Sequence, residues 1–355
     1  MKKFFLKTIF LLPIPVLLVS INYFIDPAHI FSSRFEEGIA KHMLNGMNVT
    51  NVYNYDERLL QKHYIEGLNN EPEVVVLGSS RIMLIGSSFF PGNRLVNNGV
   101  SGGQIEDMMA IFNLYLKKDF MPKKVVLGLD PWMLNDSNGD MRWLSLKGDY
   151  IDMARILHVE VPNSLPISEK NTKYGELVSL DYFQNSLRAA LKFGANRYSP
   201  TRQSVNDGLG YTRLTDGSIC YDKKYRGKTT AEIELTVNSY IGLKPIYLLG
   251  GFSHLSGREI EQLEKFIDFL IKERIEVILF LAPYHPKVYN FLLSDAQYKL
   301  LSGSEDYFKA LAARKKLDIA GSFAPDKYKL DGSYFYDGMH FKEEAIPLIL
   351  KPSWD

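Results

Sequence analysis

A serine that closes a buried strand is well placed for nucleophilic chemistry, because the turn after it exposes the hydroxyl and leaves backbone N–H groups free to steady an oxyanion. Gly78-Ser79-Ser80 stands in that position, directly after the apolar run Glu73-Val-Val-Val-Leu77. A nucleophilic serine also needs a base and a group that orients the base. Tyr336-Asp337-Gly338-Met339-His340 offers an Asp and a His three apart, a spacing that lets one loop present both. Neither signal is unique in the chain. Gly86-Ser87-Ser88 repeats the first a few residues on, and Asp26-Pro27-Ala28-His29 repeats the second. Serines at strand ends serve most often as turn formers.

Order along the chain separates these candidates. Strand-Gly-Ser-Ser80 is followed by a run ending in Asn97-Asn98-Gly99-Val100-Ser101-Gly102, then by one ending in Gly128-Leu129-Asp130, and finally by Asp337-x-x-His340. This order resembles the SGNH (GDSL-like) hydrolase superfamily, whose four blocks supply a nucleophilic Ser, an oxyanion-hole Gly, an oxyanion-hole Asn and an Asp-x-x-His pair. The resemblance covers about residues 71 to 130 and 255 to 355. It implies Ser80 as nucleophile, Asp337 and His340 as its relay, and the backbone N–H groups of Ser80 and Gly102 as oxyanion donors.

Two positions depart from that pattern. The usual Gly-Asp-Ser-Leu start reads Gly78-Ser79-Ser80-Arg81, and the third block has Asp130 in place of Asn. Asp130 could serve in the oxyanion hole only as a protonated donor, because an ionised carboxylate would repel the developing oxyanion; the expectation is instead that it turns aside, to Arg81 or to the backbone of residues 131–135, in a loop open to water. Among SGNH branches, Gly-Ser-Ser-Arg behind an N-terminal apolar segment is most similar to the membrane-anchored D-alanyl transfer and alginate O-acetylation proteins. That similarity implies acyl transfer on an envelope polysaccharide, with a multi-pass membrane O-acyltransferase as a possible partner.

Other residues could line such a site. Pro283-Tyr284-His285-Pro286 follows the run Glu276–Ala282, so His285 is a candidate substrate contact or a loop histidine in equal measure. Arg81 could bind an anionic substrate, with a structural ion pair the safer assignment. Trp132 and Trp143 could stack on sugars but read better as core aromatics, and Cys220 reads as an inert thiol. No metal or cofactor is needed. The Gly-x-Ser-x-Gly elbow of α/β-hydrolases is absent around Ser80, because Ile82 occupies its last position.

The elements that must position these residues are legible as short apolar runs at Glu73–Leu77, Arg94–Asn97, Val125–Leu129 and Glu276–Ala282, with helical patterns at Ile105–Lys118 and Glu259–Arg274. Strands alternating with helices predict an α/β fold, a three-layer αβα arrangement around a mainly parallel sheet of SGNH or flavodoxin-like type. Chemistry then belongs beyond the carboxyl ends of the strands. The expected organisation is an anchor at 1–26, a juxtamembrane stalk at 27–70 without a strand, and an α/β domain at 71–355 carrying a large insertion at about 137–245.

Lys2, Lys3 and Lys7 precede an apolar run from Ile9 to Ile25, and counted from Phe4, with Lys7 reaching to the interface, the helix is about 33 Å long. The charge placement predicts a single-pass membrane protein with a cytoplasmic N-terminus, Pro13 and Pro15 as kinks, and the main domain outside the cytoplasm. A net charge of +1 over 355 residues gives no case for nucleic-acid binding, and one cysteine excludes an internal disulfide. The function expected is that of a serine esterase or acyltransferase on ester-linked acyl groups of envelope polysaccharide. The alternative is a non-catalytic polysaccharide-binding or scaffold protein of a polymer-modifying complex, which Asp130 would favour.

Overall fold

The structure, a computed structural model, describes residues 13–26, 31, 34–52, 55–161, 173–193, 198–205 and 210–350. Its first elements are helices α1 (Pro13–Ile25) and α2 (Arg34–Leu44), strand β1 (Asn48–Val52) and helix α3 (Glu57–Gly67). The sheet-forming stretch follows with β2 (Val74–Leu77), β3 (Leu95–Asn97), α4 (Ile105–Leu116) and β4 (Lys124–Gly128). Helices α5 (Lys147–Ile156) and α6 (Leu180–Phe193) lead to short strands β5 (Ser199–Thr201), β6 (Tyr211–Arg213) and β7 (Ile219–Cys220), then α7 (Lys223–Arg226) and α8 (Thr230–Gly242). The last part comprises α9 (Gly257–Lys272), β8 (Glu276–Leu281), α10 (Pro286–Ser294), α11 (Leu300–Lys315), β9 (Asp318–Gly321) and α12 (Ile346–Leu350).

Five strands form a wholly parallel sheet in the order β3-β2-β4-β8-β9. Counted in chain order within the sheet, this is 2-1-3-4-5, the doubly wound arrangement that reverses direction between β2 and β4. The pleat sends alternate residues to opposite faces. Val75, Leu77, Val125, Leu127, Leu279 and Leu281 join one core with α4, α9, α10 and α11, against which α9 sets Leu263, Phe266, Ile267 and Leu270 at helical spacing. Val74, Val76, Val126, Ile278 and Phe280 form the other core, and here the cover differs from the expected helical layer. Short 3₁₀ turns after Ser80, the loop carrying Phe335, Tyr336 and Phe341, and the five-residue α12 fill that face. The crossover from β2 to β3 carries two 3₁₀ turns in place of a helix.

Segment 27–70 does contain a strand. β1 pairs antiparallel with β5 and β6, so a second four-stranded sheet, β5-β1-β6-β7, joins the expected stalk to the expected insertion. Its sequence, Asn-Val-Thr-Asn-Val, buries only Val49 and Val52, too little apolar content to stand out. Residues 137–245 do not act as one appendage either, because Trp143, Leu146, Tyr150 and Met153 pack into the main core beside α4, as do Ile233 and Val237 of α8.

Among the described residues no helix is long and apolar enough to cross a membrane. α1 has 13 residues, about 20 Å of helix. Pro13 and Pro15 are the first and third described residues of α1, so the expected kinks fall at the edge of the described residues. The first half of the expected span, with Lys2, Lys3 and Lys7, lies outside the described residues, as does His29 of the second Asp-x-x-His pattern.

Candidate active site

Every parallel strand delivers its carboxyl end to one edge of the sheet, and the loops there bring the sequence candidates together. β2 ends at Gly78, whose φ of +155° and close approach to the Gly128 carbonyl leave no room for a side chain. Ser79 then caps a 3₁₀ turn, its Oγ accepting from the Arg81 N–H at 3.1 Å, and Ser80 is the first residue of that turn. Ser80 is half-buried and reachable.

The loop after β9 returns Asp337 and His340 to the same place. His340 Nε2 lies 3.0 Å from Ser80 Oγ, and Nδ1 lies 2.9 Å from Asp337 Oδ2. Asp337 Oδ1 accepts the backbone N–H groups of Met339 and His340, both at 2.8 Å, so the three-residue spacing folds the loop around its own carboxylate. Burial alone would push the Asp337 carboxyl up. The neighbouring His340, the Tyr225 hydroxyl and the Met339 N–H outweigh that and hold it well below the usual carboxylate range. A carboxylate held so low favours the tautomer of His340 with its proton on Nδ1, which turns Nε2 to the serine as the acceptor.

Gly103 packs against the Gly78 carbonyl and the Ser79 N–H, which seats the Gly102 turn beside Ser80. Gly102 has φ of +59°, and a Cβ there would collide with Arg142 Nη2 and the Tyr247 hydroxyl. Neither the Ser80 N–H nor the Gly102 N–H donates to another group among the described residues, so both remain available to a ligand oxygen.

Arg81 and His285, the two candidate substrate contacts, hold the frame instead. The Arg81 side chain is fully buried. Its Nη1 bonds Asp130 Oδ1 at 2.7 Å, its Nε donates to the Met339 carbonyl at 3.1 Å, and its Nη2 donates to the Ala282 and Pro283 carbonyls at 2.5 and 2.9 Å. The Tyr284 ring lies 4.0 Å beneath the guanidinium. One side chain thus ties the ends of β2, β4 and β8 to the loop that carries His340. Asp130 is spoken for by this pair, and its loop is not open to water: Asp130 is 2% exposed, and the guanidinium it bonds packs against Trp132. Burial pushes its carboxyl above the ordinary value while Arg81 and Ser79 pull the other way. His285 is 4% exposed and caps α10, Nδ1 accepting the Lys287 N–H at 3.2 Å, with burial lowering its pKa.

The other candidates take no part in the relay. Ser87 bonds Asp216 in an exposed turn. Trp132, Trp143 and Cys220 are buried.

Two supporting residues had no signal in the sequence. Asn97, at the end of β3, donates from Nδ2 to the Ile82 and Ile85 carbonyls, both at 2.8 Å, and so pins the turn that presents Ser80. Tyr225, on α7, donates its hydroxyl to Asp337 Oδ2 at 2.5 Å. Burial and the Asp337 charge push the Tyr225 pKa up, so the phenol stays a donor. Its sequence neighbours are Lys223, Lys224 and Arg226, a basic run that gives no hint of this bond.

Removing that donor has a defined consequence. Tyr225→Phe should lower kcat of an ester substrate by about tenfold with KM unchanged, a loss of about 1.4 kcal/mol, because two backbone N–H groups still hold Asp337. A carboxylate whose folded pKa is depressed adds stability above its unfolded pKa of about 4 and loses it as pH falls through the lower folded value. With Tyr225 gone the folded value rises, so the acid limb of unfolding should move to higher pH. Acid titration of the folded protein by circular dichroism, beside steady-state kinetics, measures both.

No protein-family model matches the chain, and no curated protein matches it significantly.

Proposed function

We propose that the chain is a serine esterase or acyltransferase of SGNH type, held at the outer face of a membrane by its N-terminal segment and acting on acyl esters of an envelope polysaccharide. The observation that carries this reading is the unbroken line Ser80 Oγ, His340 Nε2, His340 Nδ1, Asp337 Oδ2 at the carboxyl edge of the sheet. The 2-1-3-4-5 strand order, which flavodoxin-like folds share, is compatible with it.

In the first half-reaction His340 Nε2 takes the hydroxyl proton as Ser80 Oγ attacks the ester carbonyl carbon. The carbonyl electron pair moves onto oxygen, where the Ser80 and Gly102 N–H groups receive it. Collapse expels the alcohol, which leaves with the proton from His340. In the second half a water or a sugar hydroxyl gives its proton to His340 and attacks the acyl carbon, and collapse breaks the acyl bond to Ser80 Oγ, which takes the proton back from His340. The envelope substrate, the acyl donor and a multi-pass O-acyltransferase partner rest on the sequence resemblance alone. A non-catalytic binding role draws on Asp130, and the bond of that residue to Arg81 accounts for it without such a role.

The test is p-nitrophenyl acetate with the full chain in detergent, with and without a neutral oligosaccharide. Release of p-nitrophenol above the Ser80→Ala background is expected. Acetyl recovered on the sugar marks a transferase, and free acetate alone marks a hydrolase. No release above background contradicts the proposal.

A further inference from the structure

α1 is tied by polar bonds to α6 and to the segment just before it. Asn22 is buried, and its Nδ2 donates to the carbonyls of Glu176, Leu177 and Ser179 at 3.0, 3.0 and 3.1 Å. Its Oδ1 accepts from Ser186 Oγ at 3.3 Å, and the Tyr182 hydroxyl donates to Asp26 at 2.6 Å. The Tyr182 and Ser186 bonds occupy one face of α6, and the three carbonyl bonds tie Asn22 to the segment just before it.

At about 100° per residue, Leu180, Leu187 and Leu191 fall within about 40° of one another and roughly a third of a turn or more from that bonded face. They are 66%, 38% and 88% exposed. Asp181, Asn185 and Arg188, all exposed, occupy the arc between the leucine stripe and the bonded face on the other side. Packed against α6, α1 also exposes Ile14, Leu17 and Phe24. Single exposed apolar residues are ordinary, but two joined helices that both turn leucine-sized groups outward mark an interaction surface.

The chain itself indicates what covers it. Residues 1–12, Met-Lys-Lys-Phe-Phe-Leu-Lys-Thr-Ile-Phe-Leu-Leu, are apolar apart from three lysines and a threonine and run directly into α1 at Pro13. Whatever bilayer receives that segment meets α1, and through Asn22 and Asp26 it meets α6. An apolar stripe beside a polar arc that includes Arg188 is the pattern of a helix lying in a membrane interface.

We propose that α6 is a second membrane contact, lying in the plane of the bilayer surface with Leu180, Leu187 and Leu191 among the acyl chains. This rests on the N-terminal segment being a membrane anchor. The stretch from α6 to α7 then links the bilayer to the relay, with α6 seated on lipid and Tyr225 holding Asp337.

The test uses the full chain carrying Cys220→Ser and a single new cysteine, Leu187→Cys, Leu191→Cys or Asn185→Cys, labelled with an environment-sensitive nitrobenzoxadiazole dye. Each is reconstituted into vesicles of phosphatidylcholine and phosphatidylglycerol, with or without brominated acyl chains, and vesicle flotation is measured on the same samples. Blue-shifted emission quenched by the brominated lipid at positions 187 and 191, with water-like unquenched emission at 185, is expected. Flotation without quenching at 187 and 191 overturns the proposal and leaves the anchor standing, whether the dyes sit in water or are shielded by a protein contact. Failure to float overturns the anchor and this proposal together.

Discussion

Ser80→Ala and His340→Ala should each lower ester turnover by about 10⁴-fold or more, and the double variant should cost little beyond either single one. The reason is geometric. The 3.0 Å contact between Ser80 Oγ and His340 Nε2 makes the two side chains one proton-transfer unit, so removing either removes the unit. Asp337→Asn keeps the loop shape that the backbone N–H groups impose but loses the charge that stabilises the imidazolium. Its activity should fall by a similar or somewhat smaller factor with the fold intact. Steady-state kinetics on an aryl ester, read beside thermal melts of each variant, separates lost chemistry from lost fold.

The largest stability effect is expected at Arg81. Arg81→Met leaves the Asp130 carboxylate buried without its cation and leaves the Met339, Ala282 and Pro283 carbonyls without their donor. Breaking a buried pair from one side costs about 3–5 kcal/mol, whereas replacing both members by apolar groups of similar volume is often close to neutral. The double variant Arg81→Met with Asp130→Leu should therefore recover much of the urea midpoint that the single variant loses. Its activity should stay low, because the Met339 carbonyl that steadies the His340 loop still lacks its donor. Recovery of stability without recovery of turnover would identify Arg81 as a positioning residue.

The four strands that carry continuous runs of Val, Leu and Ile were legible, because a strand buried on both faces has no polar alternation to hide it. β9 was not, since Asp318-Ile-Ala-Gly321 offers two apolar residues at a sheet edge. Ser80, Asp337 and His340 were legible by residue type and order, and the fold brings the three within hydrogen-bond reach. The Arg81–Asp130 pairing was legible as the safer assignment for both residues, but its burial was not. Sequence places both residues in loops, and loops suggest water, yet Tyr284 and Trp132 pack against the Arg81 guanidinium and make the pair a buried brace. His285 likewise looked ready to face the substrate, but it begins a helix whose first N–H groups need a cap. Tyr225 reaches Asp337 across 112 residues of sequence, through an element whose local pattern is a charged surface turn.

The most direct measurement is active-site labelling of the full chain with a fluorophosphonate, followed by mass spectrometry of the modified peptide. Stoichiometric modification of Ser80, abolished in His340→Ala and unaffected in Ser87→Ala, is the predicted result. A chain that keeps its fold and leaves Ser80 unmodified, or that carries the label on another residue, would contradict the proposed nucleophile.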